Sequence, residues 1–250
     1  MPHDPSKKTP SAAYGVLWKT IHARILDFLK EGIHPGMLNP VFGLPVPKDV
    51  PKHRGPSPNE RYWLDWFREF SEINNSMERL THSLVYLSSY PKSKAFHFHR
   101  LSEADWLRYH IEAYLNEVYI LHERLTRFLR KIEKVGIAAR DKSALNSVNK
   151  LKAVVTASLK NVVRARGGHV HEQRFDDTEL ANLGSLVLIT KSSELRPLRT
   201  LRQLQYLKAL QKWRRQLLAN NKETQKLCEY VFEEANTILI RHEPPGISRN

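Results

Sequence analysis

The chain has 250 residues, 41% of them hydrophobic, which is enough apolar content to bury a sizeable core and excludes wholesale disorder. Forty Lys and Arg against 26 Asp and Glu give a formal charge of +14 and a pI near 9.9, a balance that attracts polyanions at long range and places nucleic acid first among the expected partners. One cysteine, Cys228, excludes an intrachain disulfide and a cysteine-rich zinc site and fits a reducing, cytoplasmic setting. The opening "MPHDPSKKTPSAAYG" is polar and no later run approaches the length of a membrane span, so neither a secretory leader nor a membrane partner is expected.

Helical spacing dominates and strand alternation is scarce. Val16, Leu17, Ile21, Ile25, Leu26 and Phe28 predict a first helix over about 12–31, ending near Gly32. A proline-rich connector, "HPGMLNPVFGLPVPKDVPKHRGPSP", follows; recurrent proline removes backbone donors and holds φ, so it reads as extended. Over 59–89, Trp63, Trp66, Phe67, Phe70, Ile73, Leu80 and Leu84 form a broad apolar stripe, with Asn59 as the expected cap and Pro91 closing the helix. Ser102 with Asp105 opens the next helix as a capping box, and Leu107, Ile111, Tyr114, Val118, Leu121, Leu125, Phe128 and Ile132 carry it to about Val135.

A helix from about Ser143 to Val163 comes next, with Leu145, Val148, Leu151, Val155 and Leu159 on one side. "DDTELANLGSLVLI" reads as a short helix with an acidic first turn, favourable against the helix dipole. Pro197 then fixes the start of a last pair of helices, or one long bent helix, to about residue 241, with leucines at 198, 201, 204, 207, 210 and 217. The expected fold is therefore all-α, a helical bundle of about six or seven helices. Its expected organisation is an N-terminal helix and connector (1–58), a bundle core (59–190) and leucine-rich basic helices packing on that core (191–250). Trp63, Trp66 and Trp106 are expected in the core.

The most informative stretch is "RARGGHVHEQRF", residues 164–175, where two glycines are expected to end a long helix beside paired arginines and histidines. "RGGHVHE", Arg166 through Glu172, resembles the Arg-x(4 to 6)-His motif of the HEPN superfamily, whose domains are helical bundles. Arg164 and His169 offer a second register at the same spacing. The resemblance covers about residues 59–190 and implies a metal-independent endoribonuclease, with no cofactor, working as a homodimer whose two motifs face each other. It also admits a protein antitoxin or regulator as partner. In that chemistry the RNA 2′-hydroxyl attacks its own phosphorus. His171 would move the proton, since imidazole titrates near neutrality, and the forked guanidinium of Arg166 would hold the phosphoryl oxygens. Glu172, and Glu112 or Asn116 on an earlier helix, would support His171. Many active members carry a polar residue after the arginine where this chain has Gly167, and the superfamily includes non-catalytic members that bind nucleotides or proteins.

Other accounts stay open. The same stretch is also what a helix C-terminus looks like, with arginines at the negative end of the dipole and histidines on the surface. The His-x-His pairs at 97/99 and 169/171, with Asp176 and Asp177 nearby, have metal-ligand chemistry, but neither pair sits in the strand that normally presents such a motif, so no metal is expected. Along the tail, Arg199, Arg202, Lys208, Lys212 and Arg215 form a basic edge that reads as an RNA track.

Overall fold

Helix-starting chemistry is seen at four helices of the chain. The structure, a computed structural model, describes residues 12–30, 57–87, 101–171, 177–191 and 196–242, although the side chains of 12–14, 16, 27–30, 59, 164–171 and 191 are not among those described. It holds α1 (Ala12–Lys30), α2 (Pro58–Tyr86), α3 (Glu103–Ala138), α4 (Lys142–His171), α5 (Thr178–Lys191) and α6 (Arg196–Arg241). Among the described residues there is no strand, and the fold is all-α as expected. The proline connector as far as Pro56, and Pro91, lie outside the described residues.

The caps follow the sequence with one correction. α2 is capped by Ser57 rather than Asn59: the Glu60 amide donates to Ser57 Oγ at 3.3 Å, the Glu60 carboxylate accepts from the Ser57 amide, and Pro58 takes the first helical position. "SPNE" is thus a capping box with proline where its missing N–H costs nothing. The box at Ser102 and Asp105 forms as expected, with the Asp105 amide 3.1 Å from Ser102 Oγ and the Ser102 amide 3.1 Å from Asp105 Oδ2. Asp141 and Asp177 cap α4 and α5 through their Oδ1 atoms.

Two expectations about helix length are corrected. The helix expected to stop at Gly167 and Gly168 runs through both to His171. Glycine weakens a helix interior by roughly 0.5–1 kcal/mol per residue without forbidding it. The alternative of a final helix pair also falls away, because α6 is continuous over 46 residues. Pro197 sits in its first turn, where it interrupts no hydrogen bond.

The chain divides into two compact units. The first takes residues 1–74, 124–155 and 226–250. Its centre is aromatic: Trp66 meets Phe128 edge-on at 5.6 Å between centroids, Phe128 meets Phe232 edge-on at 5.9 Å, and Phe70 lies 5.2 Å from Phe232. Such pairs add about 0.5–1.5 kcal/mol each beyond the area they bury. Leu17 and Ile21 of α1 are fully buried, and Trp18 stacks on Phe70. Lys131 places its ammonium 4.7 Å from the Trp66 ring, and burial pulls its pKa below the ordinary value. Cys228 is buried here, and burial, reinforced by Glu229, pushes its thiol up to about 12, so it behaves as a small apolar side chain. Asp141 serves both α4 and the end of α6, since its Oδ2 meets His242 Nε2 at 2.8 Å and an Arg241 guanidinium nitrogen at 3.2 Å.

The second unit takes residues 75–123 and 156–225. Leu80, Leu107, Ile111, Val118, Leu121, Leu183 and Leu217 are buried in it. Within that apolar surround, the hydroxyl of buried Tyr114 donates to Asn221 Oδ1 at 2.8 Å, and Asn221 Nδ2 donates to the Leu80 carbonyl at 3.1 Å. Burial raises the Tyr114 pKa, keeping the phenol a donor. Ser76, fully buried, donates to Glu117 at 2.6 Å, and Arg79 pairs with the same carboxylate.

Two stability outcomes follow from these contacts. Tyr114→Phe leaves the Asn221 carbonyl without its buried donor and should cost about 1–2 kcal/mol, read as a lower urea midpoint with an unchanged slope. The turn between α3 and α4 is a Schellman closure, with the Asp141 amide on the Gly136 carbonyl and the Arg140 amide on that of Ile137. It holds Arg140 at φ 53°, a left-handed conformation that side chains disfavour. Arg140→Gly should therefore stabilise the protein by about 1 kcal/mol, a rise of about 2–4 °C in Tm for a chain of this size; an unchanged or lower Tm would contradict the account.

Candidate functional site

The Arg-His motif lies on the last two turns of α4, inside the second unit. Arg164, Arg166, His169 and His171 have helical backbone, but their side chains are outside the described set, and Glu172 lies outside the described residues altogether. The backbone alone carries a geometric consequence. At about 100° per residue, positions five apart, as 166 and 171 or 164 and 169, are rotated by about 140° around the helix. Positions 166 and 169 are three apart and positions 164 and 171 seven apart, which are the spacings that share a helix face.

Glu112 is half-buried and Asn116 exposed on α3. Their expected approach to His171 involves a side chain outside the described set. The histidines at 97 and 99 and Asp176 also lie outside the described residues. Among the described residues, no three His, Cys, Asp or Glu side chains gather as metal ligands, and no helix is long and apolar enough to cross a membrane.

The tail arginines and lysines divide into two sets. Lys212 Nζ lies 2.8 Å from both Asp177 Oδ2 and Glu179 Oε2, and Lys208 lies 3.8 Å from Glu179. Arg202 donates to Thr190 Oγ1 at 3.2 Å and to Glu103 at 3.3 Å. These three tie α6 to the ends of α5 and to the start of α3, where Ala104, Leu183 and Val187 form a small apolar cluster with Tyr206 against it. Arg199 and Arg215 are exposed, and among the described residues neither meets a carboxylate. The acidic first turn of α5, expected to serve the helix dipole, therefore also neutralises part of the basic edge.

One feature of the second unit escaped the sequence reading. His110 is ringed by aromatic side chains: Trp106 edge-on at 4.6 Å, Tyr109 edge-on at 5.3 Å, and Tyr86 of α2 stacked at 5.9 Å with planes 25° apart. Trp106 is buried, whereas Tyr86 and Tyr109 are 59% and 67% exposed, so two rings of the cluster are open to solvent. Burial lowers the His110 pKa, which favours the neutral imidazole at pH 7. The available signal was Tyr109, an aromatic residue off the Leu107, Ile111, Tyr114 seam; its partner Tyr86 comes from a different helix and had no such signal.

No family model matches the chain, and neither a curated protein nor a solved structure matches it.

Asp177 offers a direct test of the ionic tie. Burial opposes its ionisation, but the Lys212 hydrogen bond and the Leu180 amide outweigh that, and its pKa falls below the ordinary carboxylate value. A carboxylate depressed in the fold contributes stability that is complete above its unfolded pKa of about 4 and is lost as pH falls through the folded value. Asp177→Ala should cost about 1–2 kcal/mol at pH 7 through loss of the cap. Asp177→Asn keeps the cap, so its smaller deficit should shrink as pH is lowered from 6 to 3 in thermal melts; a deficit constant with pH would show that the charge contributes nothing.

Proposed function

We propose that this protein acts on RNA as an HEPN-like helical protein, binding single-stranded segments on the second unit and cleaving them with Arg166 and His171. The observation that carries the RNA reading is the solvent-facing ring cluster of Tyr86, Tyr109 and His110 in a chain of net charge +14. Every base has a π face, so exposed rings bind single strands without sequence preference, each stacked base being worth about 1–3 kcal/mol, while surplus lysine and arginine hold the phosphates. In the cleavage step the 2′-oxygen attacks the adjacent phosphorus as His171 removes its proton. The P–O5′ bond breaks, leaving a 2′,3′-cyclic phosphate, and the departing 5′-oxygen takes up a proton to become a hydroxyl. Arg166 carries the added negative charge on the phosphoryl oxygens.

The unbroken course of α4 favours a second reading. With 140° of helix rotation between them, Arg166 and His171 of one chain converge on one phosphate less readily than an arginine from one copy and a histidine from another. Without such a second copy, the protein would bind RNA and leave it intact.

Incubating the purified chain with mixed RNA in the presence of a chelator separates the two. Cleavage that survives chelation, gives cyclic phosphate ends and drops by about a hundredfold or more in His171→Ala supports the nuclease. Intact RNA that is still bound, with affinity reduced at least fivefold in Tyr109→Ala, supports the non-catalytic module. Absence of both binding and cleavage would end the RNA reading.

A further inference from the structure

Among the described residues, α6 leaves apolar side chains of the second unit open to solvent along one face. Leu201, Leu204, Leu207 and Leu218 are 47–59% exposed, a degree unusual for leucines that recur on one side of a helix. Positions 204, 211 and 218 are seven apart, and 201, 208 and 215 form the companion row, so Leu201, Leu204 and Leu218 sit at the two ends of a heptad seam with Lys208, Gln211 and Arg215 between them, and Leu207 lies off both rows. At the C-terminal end of this seam a cleft of about 380 Å³ opens between α6 and α2, lined by Leu84, Gln211, Arg214, Arg215 and Leu218. From Leu201 to Leu218 the face runs about 26 Å, the length of roughly five turns of a helix laid along it.

Three observations select the occupant. Leucine contributes nothing to phosphate binding, so a polyanion such as RNA would leave the seam's main feature in water, whereas a helix with its own apolar stripe would bury it. Arg214 and Arg215 line the cleft, and among the described residues neither meets a carboxylate, so the partner's matching positions need negative charge. A second copy of the same face is disfavoured because α6 carries no Asp or Glu between Arg196 and Lys222, so apposing two such faces would bring guanidinium and ammonium groups together with nothing to offset them.

We propose that this face of α6, with Leu84 of α2, is the docking site for an acidic amphipathic helix of another protein. Its apolar positions lie on Leu201, Leu204 and Leu218, and its carboxylates meet Arg214 and Arg215. The site uses neither the ring cluster nor the end of α4, so it stands or falls independently of the RNA reading.

The test uses the full chain and a fluorescein-labelled 21-residue model helix with leucine at heptad positions a and d and glutamate at e and g. Anisotropy should show saturable binding that weakens with added salt, is absent for a scrambled peptide of the same composition, and falls at least tenfold in both Leu204→Asp and the double variant Arg214→Glu/Arg215→Glu. Lys160→Glu, an exposed change elsewhere in the unit, should leave it unaltered, and circular dichroism confirms that each variant is folded. A peptide that does not bind, or that binds the variants or its scrambled form equally well, overturns the proposal. So does a chain that sediments as a dimer alone and as a monomer in Leu204→Asp, which would assign the face to a second copy. Loss of single-stranded RNA binding in Arg214→Glu/Arg215→Glu with peptide affinity unchanged overturns it in favour of nucleic acid.

Discussion

Much of the second unit depends on one part-buried hydrogen-bond chain that starts from buried Tyr114 and runs through Asn221 to the Leu80 carbonyl. Apolar packing between helices tolerates small slips, since one leucine in a groove resembles another. A buried donor that must find an acceptor within hydrogen-bond distance does not. The chain joins α2, α3 and α6 at one level and thereby sets the axial register of everything one turn away. His110 and its rings lie one turn before Tyr114. Leu84 lies one turn beyond Leu80, and Leu218 just before Asn221, so the ring cluster and the leucine-arginine cleft both inherit their placement from this contact.

Electrostatics refines rather than dominates the picture. A formal charge of +14 suggests a uniformly basic surface, yet Arg202, Lys208 and Lys212 are held by Glu103, Glu179 and Asp177. These pairs are partly exposed, so each contributes modestly to stability. Their larger effect is spatial, because they remove three cations from the stretch of α6 nearest α5. Arg199, Arg214 and Arg215, exposed on the same helix, meet no carboxylate among the described residues. Arg214 and Arg215 fall beside exposed leucine, which is a different kind of surface from a phosphate track.

The first unit rests on ring packing. Trp66, Phe70, Phe128 and Phe232 belong to three helices and to positions as far apart as 66 and 232, and each ring fills space that the others leave. Polar contacts serve its helix ends, through the capping box at Ser57 and Glu60 and through Asp141, which caps α4 while meeting His242, and ion pairs of Arg124 with Glu72 and Arg127 with Glu69 join α3 to α2 along their length. Long helices make this economical, because α2, α3, α4 and α6 each supply residues to both units.

Local chemistry was legible in the sequence because it acts over three or four residues. The capping box at Ser102, the acidic start of α5, the proline in the first turn of α6 and the buried stripes of α2 and α3 all follow from spacing alone, and together they determined the all-α class. Where local preference is weak, the sequence misled: glycine disfavours a helix by less than cooperative hydrogen bonding along α4 favours it, and Asn59 competed with a serine two positions earlier. What only tertiary structure decided is which residues meet across the chain. Tyr86 beside His110, Asn221 between Tyr114 and Leu80, Lys212 between Asp177 and Glu179, and leucines at a helical period left in water are pairings or absences of pairing between distant segments. No local period encodes them, because they depend on how whole helices are set against one another.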